Sequence, residues 1–440
     1  MRVKRLSFGV ACLVCAFPAA FVCAAYLSFA NHITPQRCES EGTPALLIVT
    51  ENNKRILSKE KYVKASFKIE WEGGSAQGDC KIRGRGNTTW VTRELFKRPY
   101  LLKLNEAAPL LGFPQASKWV LMANTADKTS LRNAYASYLA TEIWGSAAWT
   151  PRYRFIALFI NGKYNGLYAL TEKIEAGEGR VEIDTEAGSF LLEVRSQKNK
   201  AWDFVSERGV EFSIREPEDK TESEYLDMQA FIQSVEDALF QDDFADKENG
   251  WRRFLDEKTF VDWYLVNEFT KNHDARFQAS CYMYYDAERE KIFMGPVWDF
   301  DLSCGNISWH EVDDPEGFWV SLTYWYKRLF EDDSFAENVK SRWNERKDEL
   351  AKSTDIINSM SEEIFSAMLT NDSVWRNIGN RQWPHAPGWR KRKTYRAEIK
   401  YMTDFLEKRF EWMDRALNNL NEPDEKSCED ADVGSKQTTK

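Results

Sequence analysis

The chain has 440 residues, of which 43% are hydrophobic and 14% aromatic, enough for two or three domains and a large core. Its formal net charge of −9 weighs against a nucleic-acid-binding surface. Four histidines, and no Cys-x-x-Cys pair beyond Cys12 and Cys15 of the apolar N-terminal run, argue against a zinc site.

The N-terminus opens with Arg2, Lys4 and Arg5, followed by an apolar run over residues 6–30 that contains Pro18. A positive stretch before such a run reads as a signal peptide or signal anchor. The run is long enough to span a bilayer, and the flanking charges keep the N-terminus inside. The body is therefore expected outside the cytoplasm, secreted or held to the membrane through this segment alone. Residues 40–215 read mainly as strands, at 46–49, 62–70, 99–104, 154–161, 166–172 and 190–194. Asn161-Gly162 is a hairpin-turn signal. One helix is expected from Asp127, as N-cap, to Trp144, with Leu131, Tyr135, Tyr138, Leu139 and Ile143 at helical spacing. Residues 216–421 read as helical, at 222–241, 258–271, 333–350, 355–369 and 394–420, with a short β section over 281–301. The tail over 422–440 is polar and reads as disordered.

Cys12, Cys15 and Cys23 lie in the leader, leaving Cys38, Cys80, Cys281, Cys304 and Cys428. Five is odd, so at least one is free or pairs with another chain. Cys281 and Cys304 read either as a bridge or as two small buried hydrophobes.

The densest chemical signal is Pro296-Val-Trp-Asp-Phe-Asp-Leu-Ser-Cys-Gly305, with Asn272-His-Asp274 upstream. In a strand, Asp299 and Asp301 would share one face, while Trp298, Phe300 and Leu302 pack on the other. Buried carboxylates need a partner or a cation, and Mg²⁺ and Ca²⁺ prefer oxygen ligands. The alternative is a strand end with two solvated acids. The chain has no GxxxxGK[ST], HExxH, GxSxG or GxGxxG motif. A β-rich half with one helix, then a helical half with acids on an inserted hairpin, predicts an α+β fold of two lobes like a protein kinase: a β-rich N-terminal lobe and a mainly helical C-terminal lobe.

Seven segments in fixed order carry a resemblance. They are Arg83-Gly-Arg-Gly-Asn-Thr-Thr-Trp90, Arg98-Pro-Tyr-Leu-Leu-Lys-Leu104, and Trp119-Val-Leu-Met-Ala-Asn-Thr-Ala-Asp127 leading to Leu131-Arg-Asn133. Then come Tyr164-Asn-Gly-Leu-Tyr-Ala-Leu-Thr-Glu-Lys-Ile-Glu175, Phe212-Ser-Ile-Arg-Glu-Pro217, Asn272-His-Asp274 and Val297-Trp-Asp-Phe-Asp301. Together they resemble the CotH kinase family, atypical kinases like spore coat protein H. The resemblance implies a kinase-like fold that binds ATP with Mg²⁺ or Mn²⁺ and phosphorylates Ser or Thr of a protein. Catalysis of that kind is mostly positioning and charge neutralisation. Asp274 would orient or deprotonate the acceptor hydroxyl, and Asp299 and Asp301 would hold the metal. Lys103, Arg83 and Arg85 would meet phosphate, and Glu172 and Lys173 would lie at the adenine-contacting hinge. Each has a plainer reading: a cap for Asp274, a surface strand position for Lys103, a basic turn for the arginines, exposed ion pairs for Glu172 and Lys173. One departure is Ala279, beside Gln278, where such kinases carry a second metal-binding Asn. Two other classes stay open: a catalytically weak pseudokinase serving as a surface or coat scaffold, and, more distantly, a carbohydrate-active enzyme, suggested by seventeen Trp and paired carboxylates.

Overall fold

The computed structural model describes residues 33–419, apart from 147, 196–201 and 278. The expected leader and tail lie outside the described residues, as do Gln278, Cys12, Cys15, Cys23 and Cys428. No helix of the described residues is long and apolar enough to cross a membrane. The chain forms two compact units.

The first unit comprises residues up to Ala123, Arg154–Leu170 and Ile364–Asn377. Its centre is a seven-stranded closed barrel of β1 (Ala45–Thr50), β2 (Val63–Trp71), β3 (Gly74–Gly84), β4 (Tyr100–Ala108), β5 (Ala116–Met122), β6 (Tyr153–Ile160) and β7 (Lys163–Glu172). The order is β1-β2-β3-β4-β5-β7-β6, closed by parallel pairing of β6 with β1. β2 shows why the barrel forms: Val63, Ala65, Phe67 and Ile69 are buried and alternate with exposed Lys64, Ser66, Lys68 and Glu70. These apolar positions join Leu46, Ile82, Leu102, Leu104, Trp119, Leu121, Ile156, Leu158 and Leu170 in one core that fills the barrel. The Asn161-Gly162 turn takes φ of 52 and 74, as the hairpin between β6 and β7 requires.

The second unit comprises Asn124–Tyr153, Thr171–Glu363 and the residues from Ile378 onward. It holds α1 (Arg132–Tyr138), continued by a wider turn over Leu139–Ile143. It also holds a five-stranded antiparallel sheet of β8 (Phe190–Val194), β9 (Asp203–Val205), β10 (Glu211–Glu216), β11 (Cys281–Asp286) and β12 (Lys291–Met294), in the order β12-β11-β8-β10-β9. Its main helices are α2 (Glu222–Phe240), α3 (Glu257–Phe269), α4 (Asp333–Leu350), α5 (Ser353–Glu363) and α6 (Tyr395–Asn418). Thr221 and Glu224 form a reciprocal capping box at the start of α2.

The two-lobed kinase layout expected from the sequence does not hold. The fold is α+β, but the early strands close into a barrel rather than an open lobe sheet, and the later part contains its own five-stranded sheet. The physical reason lies in β8. Phe190, Leu191 and Leu192 are all buried, so this strand needs neighbours on both edges and cover on both faces. It finds those neighbours in β10 and in β11, almost ninety residues downstream. Strand propensity shows that a segment is extended; it does not name the partner. The helix expected from Asp127 starts at Arg132, and Asp127 serves it from outside, accepting from the Arg132 N–H at 2.9 Å. The helix expected over 355–369 is broken at Ile364. Among the described residues, Cys38, Cys80, Cys281 and Cys304 are buried free thiols, so Cys281 and Cys304 are not bridged.

Candidate functional site

Asp299 and Asp301 do not sit on a strand. β12 stops at Met294, Gly295-Pro296 follows, and the acids ride on the irregular turn beyond it. The period-two argument for a shared face therefore fails. Asp299 instead takes the left-handed conformation, φ 65, which a non-glycine residue adopts only where its surroundings enforce it. Ser280 Oγ donates to Asp299 Oδ2 at 3.1 Å.

The turn is held by α1 and the segment before it. Asn133 Oδ1 accepts the Phe300 N–H, between the two acids, at 2.8 Å. Arg132 Nε donates to Ser303 O at 2.9 Å, and its Nη2 to Cys304 O at 3.3 Å. Asn306 Nδ2 bridges Asp301 O (2.6 Å) and Ala126 O (2.9 Å). Arg132 is itself fixed by Asp127, whose Oδ1 takes its Nη1 at 2.5 Å. This explains the Leu131-Arg-Asn133 segment: it is a brace for the acidic turn.

Electrostatics set Asp301 apart. It is densely surrounded by protein although part of its surface stays open. Burial, then the charges of Asp299, Asp274 and Asp127, push its pKa well above the usual carboxylate value, and Arg132 pulls the other way. Asp274 and Asp299 thus lie near enough to Asp301, in the second unit, for their charges to act on it. Two buried amide atoms beside them, Asn133 Nδ2 and Asn272 Oδ1, have no hydrogen-bond partner among the described residues. Asp299 and Asp301 are the carboxylates here that could hold a hydrated divalent cation. Among the described residues no three His, Cys, Asp or Glu side chains gather in metal-ligating geometry.

Asp274 lies in a short turn over His273–Ala275 whose N-cap is Asn272, so it is not the cap. Its Oδ1 is 2.8 Å from His273 Nδ1. The His273 ring packs among Trp309, His310 and Trp319, with ring centroids 6.1, 5.6 and 5.9 Å away. Lys271, two residues earlier in the chain than His273, donates to the backbone carbonyls of Glu311 (2.9 Å), Asp314 (2.8 Å) and Glu316 (2.5 Å). Burial and the Arg409 charge lower its pKa to about 8.

The other expected residues are placed differently. Glu172 is fully buried at the end of β7 and is gripped by Arg152 (Nη2 at 2.6 Å) and Arg180 (Nη1 at 2.6 Å). Lys173 sits among Glu175, Glu216 and Glu218, at 3.1, 3.8 and 3.9 Å. In the first unit, Arg83 donates to the Lys59 and Gly84 carbonyls and lies 5.1 Å from the centre of the Tyr62 ring. Arg85 Nη1 reaches Met122 Sδ at 3.1 Å. Lys103 is exposed on the outer face of the barrel, opposite Lys81 on one side and Lys118 on the other.

The CotH kinase protein family model matches residues 81–413, which include every site residue expected from the sequence. The chain belongs to the CotH kinase family. No curated protein matches it. Within this CotH family chain, sequence reasoning missed Lys97. That lysine is only 2% exposed, donates to Ala123 O (2.9 Å) and Leu167 O, and lies 4.7 Å from the centre of the Tyr168 ring. Burial lowers its pKa to about 7. Its place between apolar Phe96 and the strand start was the available signal. Asp127, Arg132 and Asn133 were visible as a motif but not as a brace.

Proposed function

We propose that this CotH family protein transfers the γ-phosphate of ATP to a Ser or Thr hydroxyl of a protein, outside the cytoplasm, with Mg²⁺ or Mn²⁺. The observation that carries this reading is that Asp299 and Asp274 both act on Asp301, beside two buried amide atoms, Asn133 Nδ2 and Asn272 Oδ1, that have no partner among the described residues. Asp301 and Asp299 would hold the cation, which when bound neutralises phosphate charge. Asp274, free of any capping duty, orients the acceptor hydroxyl and takes its proton as the new O–P bond forms and the bond to the ADP oxygen breaks. His273, 2.8 Å from that carboxylate, fixes its direction. The Asn133 and Arg132 brace keeps the acidic turn in the conformation that the cation needs.

The experiment is incubation of the purified chain with γ-labelled ATP and Mn²⁺ or Mg²⁺, with a mixed Ser/Thr peptide pool as acceptor. Label in the chain or the peptides, lost in Asp274→Asn, supports transfer. Ala279, in place of the second metal-binding Asn, favours one other reading, a scaffold that binds nucleotide without turnover. Metal-dependent ATP binding with no label anywhere would select it.

A further inference from the structure

The barrel carries a charge pattern that phosphoryl transfer does not use. Lys64 on β2 is opposite Lys81 on β3, Lys81 is opposite Lys103 on β4, and Lys103 is opposite Lys118 on β5. Four adjacent strands thus place a lysine at one level of the outer face. Lys64, Lys81 and Lys103 are exposed and Lys118 is half-buried. Strands lie about 4.8 Å apart, so the row is roughly 14 Å long. Arg83 occupies the next outward position of β3, against the Tyr62 ring, and Asp79 the one on the other side.

Like charges directly opposite across strands are destabilising, and here three such pairs run in succession. A chain with a net charge of −9 has acids enough to alternate with them, yet in the row itself it does not. The strand ends beside the row add a second feature. Leu57, just before β2, and Val91 and Phe96, in the connection from β3 to β4, are 70%, 68% and 73% exposed. These connections are ordered against each other: Lys59 Nζ donates to Gly86 O and Asn87 Oδ1 at 3.3 Å each, and Arg98 donates to the Thr89 and Trp90 carbonyls. Apolar tips on an ordered connection beside a line of flexible cations match what an anionic bilayer recognises: side chains that enter the headgroup region and ammonium groups that meet lipid phosphate. A nucleic acid would use the cations but leave the aliphatic tips Leu57 and Val91 in water.

We propose that the lysine row and the adjoining Leu57, Val91 and Phe96 form a docking face for the surface of a bilayer containing acidic phospholipid. The face belongs to the barrel unit and is independent of the acidic cluster. In this orientation the outer faces of β2 to β5 lie against the lipid, and the row loses its mutual repulsion there.

The test is lysine acetylation footprinting of the full chain by mass spectrometry. It compares vesicles of pure phosphatidylcholine with vesicles in which about a third of the lipid is phosphatidylglycerol. Lys258 and Lys400, outside the barrel unit, are internal references. On acidic vesicles, Lys64, Lys81 and Lys103 should be acetylated about fivefold more slowly, or less, with the references unchanged. The protection should vanish on neutral vesicles and at about 1 M salt, where the screening length falls to about 3 Å. The variant Val91→Ser/Phe96→Ser should weaken protection, because it removes two of the three tips and leaves every cation. Equal protection of row and reference lysines, none on acidic vesicles, or equal protection by a single-stranded oligonucleotide at matched phosphate concentration would each overturn the proposal.

Discussion

The second unit buries carboxylates in two different ways. Glu268, on α3, is fully buried and so is its partner Arg409, 2.6 Å away. Glu268 also accepts the Trp319 and Val320 N–H groups, both at 2.8 Å, and Arg409 fills its remaining donors with the carbonyls of Glu268, Pro315 and Gly317. That network is closed. The Asp274, Asp299 and Asp301 cluster is open: the charges of Asp299 and Asp274 push the Asp301 pKa up, Arg132 pulls it down, and two amide atoms beside them lack partners among the described residues. A closed network stabilises the fold. An open one holds like charges close together, which a bound cation would relieve. Burial alone does not separate structural from functional acids; the balance of partners does.

The comparison breaks most cleanly by substitution. Asp301→Asn is expected to remove metal-dependent nucleotide binding entirely while leaving thermal stability equal or higher, because it deletes one of several repelling charges. Glu268→Gln should do the reverse. Leaving Arg409 buried without its counter-charge costs about 3–5 kcal/mol, so denaturant unfolding should shift strongly while the folded fraction still binds nucleotide. If both variants lose stability alike, the acidic cluster is structural. Next in size is Asp274→Asn. It should lower transfer by about 10²–10⁴-fold, as loss of a general base does, with nucleotide affinity unchanged in a binding titration.

Lys97 sharpens the comparison from the barrel side, where a buried cation rests on carbonyls and a ring. Its pKa falls from 10.5 to about 7 in the fold. Between those values the unfolded chain holds a proton that the folded chain has released, so stability rises with pH from about 7 to 10. One group contributes up to about 1.4 kcal/mol per pH unit there. Urea unfolding at pH 7 and pH 9 should therefore show the gap between wild type and Lys97→Met widening at the higher pH. Parallel behaviour would mean that Lys97 stays charged. The smallest expected effect is that of Lys81→Glu, which turns two repulsive cross-strand pairs into attractive ones and should raise stability by less than about 1 kcal/mol, read as a slight rise in Tm.

Much of this was legible in the sequence. The helices α2, α3, α4 and α6 follow their apolar periodicity closely, because each buries one stripe or, for α3, nearly all sides. β2 and β8 were equally plain. β3 was not: Gly74-Ser-Ala-Gln-Gly-Asp has almost no strand propensity, and the strand exists because all nine residues of β2 pair with it. Closure of the barrel was hidden for the same reason, since pairing partners are a tertiary choice. For the candidate site, the motifs singled out Asp274, Asp299 and Asp301, although the strand conformation expected for the last two does not hold. The brace was out of reach because Asn133 and Phe300 are far apart in sequence. Glu172 misled for a related reason: an acid ending an apolar strand can face a ligand or an arginine, and here Arg152 and Arg180 take it.

The central claim is that the open acidic cluster is a cation site completed by a phosphate ligand. It is tested most directly by titrating Mn²⁺ into the wild-type chain and into Asp301→Asn, with and without ATP, and following free Mn²⁺ by electron paramagnetic resonance. The wild type should bind Mn²⁺ weakly alone and far more tightly with ATP, and Asp301→Asn should show neither. Equal Mn²⁺ binding by the two proteins in the presence of ATP would contradict the account.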